Sequence, residues 1–198
     1  MYVTQHNTIT DRTVTDALWD LYNVAYERIA AADITRETLY RHEFDEVMAD
    51  STYRTTVVRN DAGVPIAMVV IATDISVTRY LSVPYFQRTY PDRLAAGKIH
   101  YIMWVVVHPD HQATRTIFEM ARRSLESEAA DGTLLVFDLP ESNQPAEVGR
   151  GAEFFFRIAK TIAPAELESF GVSRYYAIDF APTVESEESA EQSERIAT

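Results

Sequence analysis

The stretch Ile99–Met120, IHYIMWVVVHPDHQATRTIFEM, constrains this chain more than any other. A near-continuous apolar run from Ile99 to Val107 stops at His108-Pro109. A short polar turn follows, and an amphipathic pattern begins at Ile117. Such a run with turn signals at its end reads as a buried strand, and a 3.6-residue period reads as a helix, here over about 115–129. The junction predicts a strand, a sharp loop and a helix N-terminus. The free backbone N–H groups of that terminus can hold an anion.

The flanking pattern completes an α/β reading. Thr13-x-x-Asp16 resembles a capping box, and Val14, Leu18, Leu21, Ala25 and Ile29 then share one helical stripe. A second helix is expected from near Thr35, with Leu39, Phe44, Val47 and Met48 inward. Tyr53 to Arg59 and Val64 to Thr73 read as a strand pair. Their connection, Asn60-Asp61-Ala62-Gly63, suits a hairpin with a bulge. Residues 74–98 are irregular and rich in aromatics (Tyr80, Tyr85, Phe86, Tyr90), with a short helix expected from Pro84 to Ala96. Such insertions either line pockets or pack the loop onto the core. Thr133–Asp138 predicts a buried strand, Val148–Ile162 a helix with Phe154, Phe155 and Ile158 inward, and Arg174–Phe180 a last strand. The order is (β)ααββ–(α)–βαβαβ.

Composition excludes several function classes. With no cysteine there is neither a disulfide framework nor a thiolate nucleophile. No apolar run approaches the roughly 18 residues of a membrane helix, and no signal peptide is evident, so a cytoplasmic protein is expected. The net charge of −12 disfavours nucleic acid and anionic membranes as partners. Glu185–Thr198 holds five Glu and one Arg, which marks 182–198 as an acidic, disordered tail on a single domain, 1–181. His108 and His111 with Asp110 form no larger ligand cluster, and no metal is expected.

The element order and the opening stretch together resemble the GNAT superfamily of acyl-CoA-dependent N-acyltransferases. Its recognisable motif is an apolar strand ending Val-x-Pro, then Arg or Gln-x-x-Gly-x-Gly or Ala. Val107-His108-Pro109 matches the strand end, Gln112 the Arg/Gln position, and Met120 the apolar helical position. Arg115 and Ile117 occupy the glycine positions, so the motif is half present. The resemblance implies a mixed, mostly antiparallel central sheet flanked by helices on both faces. It also implies acetyl-CoA or another acyl-CoA as co-substrate, and an amine of a small molecule or protein as acceptor. A homodimer is left open.

The same resemblance assigns candidate residues. Acyl-CoA would lie along the Val105–Val107 edge, with its pyrophosphate over Gln112, Ala113, Thr114, Arg115, Thr116 and Ile117. In the family the glycines admit phosphate to the backbone. Here Arg115 either obstructs that approach or pairs with the phosphate itself. The family's base sits about six residues before Val-x-Pro, near Tyr101. A phenol with a pKa near 10 is a poor base at neutral pH. His100 is adjacent but belongs to the opposite face under regular alternation, unless a bulge of the kind typical of the family reverses it. Asp138, Glu141 and Asn143 lie at the next strand's C-terminal end, where ligands bind in α/β sheets. The helix that carries the family's Tyr acid reads Phe154-Phe155-Phe156, with no hydroxyl, and Tyr175 and Tyr176 on the expected last strand compensate only if they reach the site. The alternative reading is a catalytically inactive member of the fold that binds a ligand or a protein.

Overall fold

The strand Pro65–Ala72 is buried along its whole length, so it must sit at the centre of a sheet covered on both faces. The computed structural model describes residues 1–32, 38–111, 114–139 and 151–171 of the chain. It divides into two compact units, Met1–Leu167 and Glu168–Thr198, and only Glu168–Gly171 of the second are described. The expected strand at Arg174–Phe180, Tyr175, Tyr176 and the acidic tail lie outside the described residues.

The first unit carries a five-stranded sheet: β1 (Tyr2–His6), β2 (Tyr53–Arg59), β3 (Pro65–Ala72), β4 (Ile99–Val107) and β5 (Leu134–Val136). These lie side by side in chain order. The first four are antiparallel, and β5 runs parallel to β4. The β2–β3 register shifts between Val58 and Arg59, next to the expected bulged turn. Gly63 makes that turn at φ +82°, a conformation that carries little cost only without a Cβ.

Helices cover both faces. On one side pack α1 (Arg12–Ala32), α2 (Arg41–Ala49), α3 (Val83–Thr89) and α4 (Pro91–Ala95). On the other lies α5 (Thr114–Asp131), against which α6 (Gly151–Ile162) packs through Phe154, Phe155 and Ile158. Leu18, Leu21, Tyr22, Ala25 and Tyr26 form the buried stripe of α1; the side chain of Ile29 lies outside the described residues. Each large apolar side chain buried here contributes about 1.5–3 kcal/mol.

Several boundaries differ from the sequence expectation. The carboxylate of Asp11, rather than Thr13, caps α1 by accepting the N–H groups of Thr13 (2.8 Å) and Val14 (3.3 Å). Helix α2 begins at Arg41, where Glu43 reaches back to the Tyr40 N–H at 2.8 Å. Thr35 lies outside the described residues. The aromatic insertion forms two short helices because Pro91 restarts the chain after Tyr90. Strand β5 pairs over three residues only.

Candidate active site at the β4–β5 fork

Strand β4 carries a bulge. Val70 of β3 faces Trp104, and the next residue, Ile71, faces Ile102, which leaves Met103 as the extra residue. On the β5 side, Ile99, His100 and Tyr101 pair with Leu134, Leu135 and Val136. Beyond Tyr101, among the described residues, β4 has no strand partner on that side. Pairing with β5 thus stops just before the bulge, which makes a fork, and the N–H and C=O groups of Ile102–Val107 that turn away from β3 face no strand among the described residues.

The bulge resets which side chains share a face. Ile99, Tyr101, Trp104 and Val106 join the core under α1, whereas Ile102, Val105 and Val107 join the core under α5. Val105 and Val107 are half-buried there. At the closed end of the fork the buried Tyr101 hydroxyl donates to Asp138 Oδ1 at 2.6 Å, and Asp138 itself is exposed. The Tyr80 ring lies 6.3 Å from that of Tyr101, so the aromatic insertion reaches the fork. Trp104, just past the bulge, is 5% exposed and packs against Phe44 and the edge of Tyr22. Its indole Nε1 is buried with no hydrogen-bond partner among the described residues.

A cleft of about 450 Å³ opens on the same face, between α1 and residues 38–41. Trp19, Tyr22, Tyr26, Glu27 and Tyr40 contribute to its walls. The rings of Trp19, Tyr22 and Tyr26 stack in series at 5.5 and 4.5 Å. The Tyr22 hydroxyl accepts the Leu39 N–H at 3.0 Å. Burial pushes the Tyr22 phenol up, an effect opposed in part by that bond.

His100 faces the other way, as alternation requires, because the bulge lies beyond it. Its Nδ1 is 2.7 Å from Glu128 Oε2 in a buried network under α5. Glu128 also pairs with Arg54 and accepts the Thr133 hydroxyl at 2.6 Å. Burial by itself raises the Glu128 carboxyl. The hydrogen bonds from His100 and Thr133 and the Arg54 charge outweigh it and hold the group below the ordinary carboxyl range. Sequence reasoning missed this network, although Glu128 continues the inward Met120–Ser124 series of α5 at four-residue spacing.

Beyond β4, the short 3-10 turn Pro109–His111 leads toward α5. The His108 and His111 rings are 5.6 Å apart, and the described residues hold no group of three metal ligands. Arg115 is exposed at the start of α5, Thr116 is buried, and Ile117 is half-buried. Gln112, Ala113, Glu141 and Asn143 lie outside the described residues, as does the side chain of Thr114.

No protein-family model matches the chain, and no curated protein matches it. Among solved structures it is similar to an aminoglycoside acetyltransferase, meta-AAC0020, from an uncultured soil metagenomic sample. With sisomicin bound, that structure has a TM-score of 0.51 at 9% identity, over 90% of this chain and 96% of that one. With trehalose bound, the TM-score is 0.50 at 10% identity over the same shares. The likeness establishes the fold: the chain has the GNAT fold, α+β, with a mostly antiparallel sheet between helical layers. Among the described residues no helix is long and apolar enough to cross a membrane.

Proposed function

We propose that the protein is an acyl-CoA-dependent N-acyltransferase. The observation that carries this reading is the fork at Met103, beyond which one edge of β4 has no strand partner among the described residues, between the Tyr101–Asp138 pair and the start of α5. An open strand edge offers alternating N–H and C=O groups to a ligand that carries amides. The pantetheine arm is such a ligand. It would run along Val105 and Val107, with the pyrophosphate over Gln112, Ala113, Thr114, Arg115, Thr116 and Ile117. Arg115 is exposed and has no ion-pair partner among the described residues, unlike Arg122 and Arg123 of the same helix. It supplies the cation that offsets the missing glycine.

The chemistry is direct transfer. The neutral amine nitrogen attacks the thioester carbon, a C–N bond forms, the C–S bond breaks, and the thiolate leaves. The proton lost by the amine must be taken up, and the thiolate must gain one. The Tyr101 hydroxyl, held by the exposed Asp138 carboxylate, forms a two-residue proton path from the fork to solvent. Asn143, which follows β5 in sequence, is assigned to ordering the ligand or a water. His100 serves the buried Glu128 network. The acceptor approaches from the α1 side, past the cleft and Tyr80, and an amine is the acceptor class that the name of the similar enzyme supports.

The test is ligand stabilisation followed by turnover. Acetyl-CoA at 100 times its dissociation constant stabilises a binding protein by about 2.7 kcal/mol. No thermal shift with acetyl-CoA, longer acyl-CoA or CoA removes the reading. Binding without thiol release across a panel of amines makes the protein a ligand-binding member of the fold instead.

A further inference from the structure

Two rings of the α1 cleft are not used up by core packing. Trp19 is half-buried, and Tyr40 is 72% exposed at the mouth. Single exposed rings are common, but these border a cavity of the size that holds small molecules. The charges of the wall are also unequal. Arg41, the one cation among its described residues, pairs with Asp16 at 2.5 Å and Asp45 at 2.9 Å, and its guanidinium lies 5.8 Å from the Trp19 ring. Glu27, the one carboxylate among them, is exposed and has no ion-pair partner among the described residues. The same chemistry continues toward the fork. The Tyr22 phenol, in the cleft wall, lies within electrostatic reach of Glu43 and Tyr80. Glu43 meets Arg79 at 3.8 Å, and the Tyr80 ring is 6.3 Å from that of Tyr101, which holds the exposed Asp138. Rings and carboxylates therefore succeed one another from the cleft to the fork.

We propose that the cleft selects an arylalkylamine as acceptor: a flat aromatic ring lodged against Trp19 and Tyr40, with its amine on a short chain that reaches the fork past Tyr80. This rests on the acyl-CoA reading above and names the acceptor class. An aromatic body meets the wall by offset or edge-on ring contact. The unspent carboxylate at the rim draws in the ammonium form and repels anions. At the fork the ammonium passes its proton to the Tyr101–Asp138 path before the neutral nitrogen attacks. A polycation is the poorer match. Each further ammonium needs its own counter-charge, and the described wall offers one unspent carboxylate.

Thiol release from acetyl-CoA is compared for phenethylamine, propylamine and spermidine. Phenethylamine should exceed both in kcat/KM, and propylamine by roughly tenfold or more, the gain from taking a ring out of water. Tyr40→Ala removes a side chain that lies mostly in water and keeps the backbone bond to Glu43. It should raise KM for phenethylamine about tenfold, with kcat and the KM for propylamine little changed. The chain has two tryptophans, so Trp19→Phe identifies the Trp19 indole N–H signal in a nitrogen–proton NMR spectrum. That signal should move with phenethylamine and stay in place with phenylpropanoate, which carries the same ring on a carboxylate. If acetyl-CoA binds and phenethylamine is not the preferred amine, or phenylpropanoate moves the Trp19 signal alike, the assignment is overturned without touching acyl-CoA binding. If acetyl-CoA gives no thermal shift, the acyl-CoA reading falls and the arylalkylamine is no acceptor. The spectroscopic arm uses the wild-type cleft and decides the question even if Tyr40→Ala does not fold.

Discussion

Replacing Glu128 by Leu tests how the α5 layer is fastened to the sheet. In the native fold the carboxylate of this α5 residue meets Arg54 of β2, His100 of β4 and Thr133 in the turn before β5. Arg54 and Glu128 are both largely buried, so the pair cannot be treated as a surface ion pair. Removing the carboxylate leaves Arg54 with the half-exposed Asp131, at 3.5 Å, as its ion-pair partner among the described residues, and takes away the group that meets His100 Nδ1. Breaking a buried pair from one side costs about 3–5 kcal/mol, because the remaining charge stays desolvated. At about 2–4 °C per kcal/mol for a protein of this size, the melting temperature should fall by roughly 6–20 °C. Urea denaturation at neutral pH measures the loss directly. Removing the stranded charge as well, in Arg54→Met with Glu128→Leu, should recover at least about 1 kcal/mol relative to Glu128→Leu. The acid dependence has a definite sign. Glu128 has a lowered folded-state pKa, so its contribution is complete above the unfolded carboxyl value and is lost as pH falls through the lower folded value. The stability gap between wild type and Glu128→Leu should therefore narrow below about pH 4.3. A loss under about 1 kcal/mol at neutral pH, or an Arg54→Met change that deepens the loss, would refute the reasoning.

Asp11→Ala should cost about 1 kcal/mol by equilibrium unfolding, since it removes the cap from the first turn of α1. An unchanged midpoint would mean that water satisfies those N–H groups equally well. Tyr101→Phe should lower kcat by about 10²–10⁴ while acyl-CoA binding persists, if the Tyr101–Asp138 path carries the proton. A rate within twofold of wild type assigns that step elsewhere. Arg115→Gly should weaken CoA binding in titration calorimetry if the guanidinium holds phosphate. Tighter binding would mean that Arg115 obstructs the loop.

The fold was largely legible because its signals are periodic. The α1 stripe, the β2–β3 pair and the apolar run of β4 all follow from alternation or from 3.6-residue spacing, and the structure contains each of them. Boundaries were harder where a side chain competes for the same backbone groups. Thr13 and Asp11 can both cap α1, and the choice depends on the path of the preceding loop, which has no period. The site was legible in one dimension only. Alternation put His100 and Tyr101 on opposite faces, and the structure agrees. It could not show that Tyr101 meets Asp138, because parallel pairing of distant strands leaves no local trace. Trp104 was invisible as a polar group: within an apolar run an indole counts as bulk, and only packing reveals whether its N–H is satisfied. Glu128 lay on the inward stripe of its helix, where a carboxylate signals a buried partner, and that signal went unused.

The extra residue at Met103 also makes β4 two strands in different phase. Residues 99–101 pair with β5, and residues 104–107 take their alternation from β3 beyond the extra residue. Because one unpaired residue separates the two frames, the register that seats Tyr101 beside Asp138 is decoupled from the register that presents Val105 and Val107. Substitutions around Tyr101 and Asp138 leave the phase of Val105 and Val107 untouched, and the reverse holds as well. Deleting Met103 would merge the two frames into one regular alternation, with Trp104 following Ile102 and every side chain kept on its face. A one-residue deletion elsewhere along β4 would instead exchange the two faces of the segment beyond it.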